Sequence, residues 1–174
     1  MDYEIIKNSI AIVEDFPKKG ISFKDVTPLF LDHKKIDFII DEMASFAKTI
    51  DFDVIVAPES RGFLFGLPLA LKLKKPFVPI RKKGKLPRKV VSEEYELEYG
   101  KAIIEISEND IPANSKVLIV DDLIATGGTS IAIQKLIKKL NCTVVGQAYL
   151  IELIQLCDYE KLEGKFFSMI KYEK

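Results

Sequence analysis

Two stretches of this chain, Val54–Ala57 in "DVIVAP" and Val117–Val120 in "KVLIVDD", carry four aliphatic residues in unbroken succession. A strand with one wet face alternates apolar and polar side chains, so an uninterrupted run closed by Pro or Asp predicts a strand covered on both faces. Each run is followed by helical periodicity and then another apolar segment. After the first come "ESRGFLFGLPLALKLKK" and the short strand "PFVPI". After the second come "TSIAIQKLIKKL", with Ile133, Leu136, Ile137 and Leu140 on one helical face, and "TVVGQAYLIEL". Strand, helix, strand units of this kind build an α/β fold with a mostly parallel sheet flanked by helices.

The remaining segments fit around that frame. Ile36, Ile39, Ile40, Met43, Phe46, Ala47 and Ile50 predict an amphipathic helix over 34–50, and Ile6, Ile10 and Val13 predict another over 4–14. Between them "FPKKGISFKDVTPLF" has two prolines and a glycine among apolar residues and reads as an ordered, irregular connection. Arg81–Ile106 is highly charged, then partly alternating, and reads as a hairpin or flap inserted into the frame. With no repeat or linker, residues 1–174 read as one domain, long enough to bury a core without staples.

Charge and cysteine usage narrow the function classes. Lys plus Arg and Asp plus Glu both number 26, so no global field draws the chain to nucleic acid or a membrane surface, and an anion site must be local. The longest apolar run, "GFLFGLPLAL", is too short to cross a bilayer, and "MDYEIIKNSI" lacks a leader's apolar core. Cys142 and Cys157 stand alone, without metal-ligand spacing, as buried free thiols in a cytoplasmic protein would.

The stretch with most chemical content is "VLIVDDLIATGGTS". Asp121 and Asp122 fall where a buried strand ends, the edge at which open α/β sheets bind ligands. Ala125, Thr126, Gly127, Gly128 and Thr129 then lead into a helix whose first N–H groups lack intrahelical partners and favour an anion. A triphosphate loop would need Gly-Lys before Ser or Thr, and a dinucleotide site would need G-x-G-x-x-G; neither occurs. The plainer alternative is a capped helix after a glycine turn. Phosphate at the turn and ribose hydroxyls at the acids make a ribose 5-phosphate site, with the carboxylates also suited to positive charge developing on the sugar.

This stretch resembles the phosphoribosyl pyrophosphate motif of the type I phosphoribosyltransferases. "FPKKGISFKDVTPLF", "ESRGFLFG", "RKKGKLP…YELEYGK" and the closing "FFSMIKY" follow in the same order as in the adenine phosphoribosyltransferases, covering nearly the whole chain. The resemblance implies transfer of a phosphoribosyl group from phosphoribosyl pyrophosphate to adenine, giving AMP and pyrophosphate in purine salvage. It implies a homodimer, an N-terminal hood, a flap, and Mg2+ arriving with the pyrophosphate and not held directly by the protein.

Residue by residue, the resemblance assigns the 5′-phosphate to Ala125–Thr129, and the ribose and its developing cation to Asp121 and Asp122. Glu59, Ser60 and Arg61 form the pyrophosphate loop, where Arg61 offers a planar fork for phosphate oxygens or, more plainly, a salt bridge to Glu59. Arg81 and Lys85 also contact pyrophosphate, with Arg81 lent by the partner subunit in one arrangement. Six of the nine residues 81–89 are basic, of which Lys82, Arg88 and Lys89 read as a solvated face. Glu98 serves as acid or base at the purine imidazole, with Tyr99 beside it in the closing flap. Phe23 stacks on adenine, or packs in the core, while main-chain groups near Ile21, Ser22 and Lys24 read its edge. Ser22 and Lys24 stand where the family commonly has an aliphatic residue and Arg. Transfer to another base, or a sensor of the sugar phosphate without turnover, are the competing functions.

Overall fold

The computed structural model describes residues 1–96 and 100–173. In chain order, the first half contains α1 (Tyr3–Lys7), β1 (Ala11–Glu14), β2 (Ser22–Asp25), a 3-10 turn, α2 (His33–Ala47), β3 (Val54–Pro58) and α3 (Arg61–Leu73). The second half contains β4 (Phe77–Lys82), β5 (Val90–Glu96), β6 (Lys101–Ser107), β7 (Lys116–Ile124), α4 (Gly128–Lys139), β8 (Thr143–Leu153), a second 3-10 turn and β9 (Lys165–Tyr172).

The two aliphatic runs lie side by side in a seven-stranded sheet ordered β5-β6-β4-β3-β7-β8-β9. The pairs β3–β4, β3–β7, β7–β8 and β8–β9 are parallel. Ile55, Leu118 and Val120 enter a core shared with α2 and α3, while Val54, Val56, Val117 and Ile119 enter a second core against α4. The runs are unbroken because successive residues fill opposite cores. Each such aliphatic side chain contributes about 1.5–3 kcal/mol by leaving water.

The charged hairpin extends the sheet. β5 and β6 pair antiparallel, and β6 joins the end of β4 through Arg81↔Glu105 and Lys82↔Ile104. A short separate sheet, β1 with β2, stands apart as the hood. Here the structure corrects the helix expected over 4–14. Asp2 caps α1 through the Ile5 N–H, but the helix stops at Lys7, and the Ser9 and Ile10 N–H groups close a turn onto the Ile6 and Lys7 carbonyls. Ile6 and Ile10 are buried, whereas Val13 is exposed and pairs with Phe23 across the hood. A β-branched Ile12–Val13 pair suits that ladder better than a further helical turn.

Candidate active site

The carboxyl ends of the central strands converge on one place. β3 delivers Pro58, Glu59 and Ser60 to the start of α3 at Arg61, β4 delivers Arg81, Lys82 and Lys83, and β7 delivers Asp121 and Asp122. Together with the turn Ala125–Thr129 they line a cavity of about 830 Å3. That volume lies within the range of about 300–1,000 Å3 usual for small-molecule sites.

The adjacent acids have different surroundings. Asp122 is buried, with its Oδ2 2.5 Å from Arg61 Nε. This is an ion pair without hydrogen-bond alignment, so Oδ2 is a buried acceptor lacking a hydrogen bond among the described residues. Asp121 reaches the cavity and accepts the Asp122 N–H at 2.8 Å. Burial of its carboxyl, and then the neighbouring Asp122 charge, push its pKa well above the carboxylate range, against the pull of Arg61. Gly62 makes this closeness feasible: a Cβ there would stand 2.8 Å from Pro58 Cδ and 2.9 Å from Asp121 Oδ1.

Glu59 and Arg61 do not pair with each other. Glu59 Oε2 accepts from Arg81 Nε at 2.9 Å and from the Lys82 N–H at 3.0 Å. The Lys82 N–H and then Arg81 hold its pKa below the ordinary value, keeping an anion that fixes Arg81 at the cavity of its own chain. Lys82 and Lys83 are exposed and line the cavity, whereas Lys85, in the same turn, does not line it.

The Ala125–Thr129 turn is held from below. Gly127 adopts φ 84°, where an L side chain would be strained, and caps α4. Behind it Ser130 Oγ donates to Gln147 Oε1 at 2.5 Å, and Tyr149 OH lies 2.8 Å from the same oxygen. Gln147 Nε2 donates to Gln134 Oε1 at 2.7 Å and to the Glu163 carbonyl at 2.8 Å, and Gln134 Nε2 donates to the Lys161 carbonyl at 2.9 Å. Burial pushes the Tyr149 pKa up, so its hydroxyl stays neutral in this network. Satisfied buried amides fix α4, β8 and the 158–164 segment against one another. Gln134 and Gln147 interrupt patterns that call for aliphatic residues, and that was their one sequence signal.

The hood meets the sheet edge at Phe23. The Arg61 guanidinium carbon is 5.0 Å from its ring centroid, and Phe16 packs edge-on at 5.2 Å. Strand alternation turns Ser22 and Lys24 the other way. Lys24 Nζ donates to Ser22 Oγ at 2.7 Å and lies 5.1 Å over the Tyr172 ring, while Ser22 Oγ donates to Glu14 at 2.9 Å. As a two-stranded sheet, the hood leaves the outer edge of β2, next to Ile21, without a strand partner among the described residues. Glu98 and Tyr99 lie outside the described residues. Tyr95, unassigned in the sequence, lines the cavity beside Thr129.

Comparison with known proteins identifies the family to which this fold belongs. The phosphoribosyl transferase domain family matches residues 29–173. The chain is 82% identical over 172 residues to the adenine phosphoribosyltransferase of Malacoplasma penetrans, covering 99% of this chain and all of that one. The crystal structure of the adenine phosphoribosyltransferase from Thermoanaerobacter pseudethanolicus superposes with a TM-score of 0.94 at 47% identity, covering 98% of this chain and 99% of that one. The Saccharomyces cerevisiae adenine phosphoribosyltransferase, complexed with an imino-altritol bisphosphate and adenine, gives 0.90 at 38% identity, covering 97% and 98%. The same α/β sheet flanked by helices thus recurs across these proteins, and the chain belongs to the phosphoribosyl transferase family and, within it, to the adenine phosphoribosyltransferases.

Proposed function

We propose that this protein transfers the phosphoribosyl group of phosphoribosyl pyrophosphate to adenine, releasing pyrophosphate and forming AMP in purine salvage. The observation that carries this is the convergence of Arg61, Arg81, Asp121, Asp122 and the Ala125–Thr129 turn on one cavity. A phosphate monoester fits the α4 N-terminus with the Thr126 and Thr129 hydroxyls. Arg61, Arg81, Ser60 and the neighbouring lysines take the diphosphate, and Asp121 and Asp122 take the ribose hydroxyls between them.

As pyrophosphate leaves, the sugar carbon gains positive charge, which the two acids stabilise from fixed positions. Adenine N9 attacks the opposite face and loses its proton, with Glu98 as the acid or base. Phe23 offers a ring for stacking, and the main chain of β2 can match adenine's acceptor and exocyclic donor; hypoxanthine reverses that pattern and would leave buried groups unpaired.

Magnesium fits this site as an ion carried by the substrate. Asp122 Oδ2, ion-paired to Arg61 but without an aligned hydrogen bond, is an oxygen of the kind such an ion's water ligands can donate to. Asp121 and Asp122 would face the ion's water shell, and the bound ion would neutralise charge on the pyrophosphate. A homodimer is supported by the exposed stripe Leu64, Leu67 and Leu71 on α3. No helix among the described residues is long and apolar enough to cross a membrane, and the free thiols Cys142 and Cys157 suit the cytoplasm.

Pyrophosphate release tests the function directly. The expected outcome is release with adenine and none with hypoxanthine or guanine. Release with another base would reassign the hood, and none with any base would leave a sensor of sugar phosphate.

A further inference from the structure

Tyr95 sits on β5, at the outer edge of the sheet, yet reaches the phosphate turn. Its hydroxyl oxygen is 3.4 Å from Thr129 Oγ1 in the first turn of α4. Hydroxyl pairs that bond well to each other stand about 2.7–2.8 Å apart. At the longer spacing, with both side chains lining the cavity, the two hydroxyls are placed to donate jointly to a third oxygen rather than to each other.

The position of Tyr95 is fixed by β5 itself. Lys139, at the end of α4, donates to the Ser92 carbonyl at 2.6 Å and pairs with Glu93 at 2.7 Å. The Tyr95 ring packs against the α4-side core, and the Glu96 carbonyl passes close enough that a Cβ on Gly128 would meet it at 3.8 Å. β5 is therefore clasped along α4, with one aromatic hydroxyl aimed at the helix's first turn.

We propose that the Tyr95 hydroxyl is a further ligand of the 5′-phosphate, supplied by the hairpin to a turn otherwise built from α4. This rests on the cavity being a ribose 5-phosphate site. In the bound state, Tyr95 O–H and Thr129 O–H each donate to a phosphate oxygen, while the α4 N–H groups occupy the others.

The test compares AMP and adenosine binding, by calorimetry, to the wild-type protein and Tyr95→Phe, which keeps the ring and its packing. Wild type should prefer AMP. Tyr95→Phe should lose about 10-fold in AMP affinity, the scale of a hydrogen bond to a charged group, with adenosine affinity unchanged. In turnover, KM for phosphoribosyl pyrophosphate should rise by about the same factor, with KM for adenine unmoved. Thr129→Val should weaken AMP selectively in the same way. Undiminished AMP affinity in Tyr95→Phe, or an equal loss for AMP and adenosine, would overturn the proposal. A wild-type protein indifferent to the phosphate would overturn the ribose 5-phosphate reading itself, and this assignment with it.

Discussion

At the carboxyl ends of the central strands, the candidate site side chains are charged and restrain one another: Arg61, at the start of α3, lies against Asp122 of β7, and Arg81 of β4 against Glu59, just past β3. In the hood the polar side chains of Ser22 and Lys24 are turned toward Glu14 and Tyr172, leaving a ring and a main-chain edge. On the proposed function, the difference follows from what each half must recognise. Phosphates and a developing cation call for fixed charge, which depends on side-chain identity. A neutral flat base calls for stacking and a donor–acceptor edge, which the backbone supplies whichever side chains flank it.

That contrast can be broken most severely at Asp122. Asp122→Asn should lower turnover by roughly 10²-fold or more and leave KM for adenine nearly unchanged; a matching loss of adenine affinity would mean the halves are not separate. Phe23→Ala should do the reverse, raising KM for adenine by about 10-fold, the scale of one base–aromatic stack. If KM for phosphoribosyl pyrophosphate rises equally, Phe23 acts mainly by holding Arg61.

Asp121 sharpens the comparison through stability. Its pKa is higher folded than unfolded, so the fold bears no penalty from it below the ordinary value of 3.8 and an increasing one as pH rises above that. Asp121→Asn should therefore melt higher than wild type near neutral pH, with the gain vanishing in acid, while turnover falls. A lower melting temperature at neutral pH would show that the carboxylate is stabilising in place. The smallest effect belongs to Lys24→Met: with Nζ turned to Ser22, the preference for adenine over hypoxanthine should shift by less than about twofold, as measured by base competition.

The sheet was legible because burial on both faces leaves an unbroken signature in Val54–Ala57 and Val117–Val120. The hairpin was legible from its charge and alternation. Helical spacing misled at Val13, since three apolar residues can satisfy a period of 3.6 while the chain turns between them. The partner of Arg61 was hidden for another reason. Glu59 is near in sequence, but it is held by Arg81 on the neighbouring strand, while Asp122 comes from β7. Ser130, Gln134 and Gln147 show their joint role only once α4 crosses behind β8. Pairings of this kind arise from topology, and no local pattern encodes them.

Gly62 touches no ligand in this scheme, yet it sets a length. Because Pro58 Cδ and Asp121 Oδ1 already occupy the space a Cβ would need, the start of α3 rests directly on the end of β7. The gap between the Glu59–Arg61 turn and the acids Asp121 and Asp122, the two subsites of the proposal, is thus gauged by a missing methyl group, a spacer of zero size. This interval can only be lengthened by a side chain at position 62, so Gly62→Ala should disturb the site although the residue makes no contact with a ligand in the scheme.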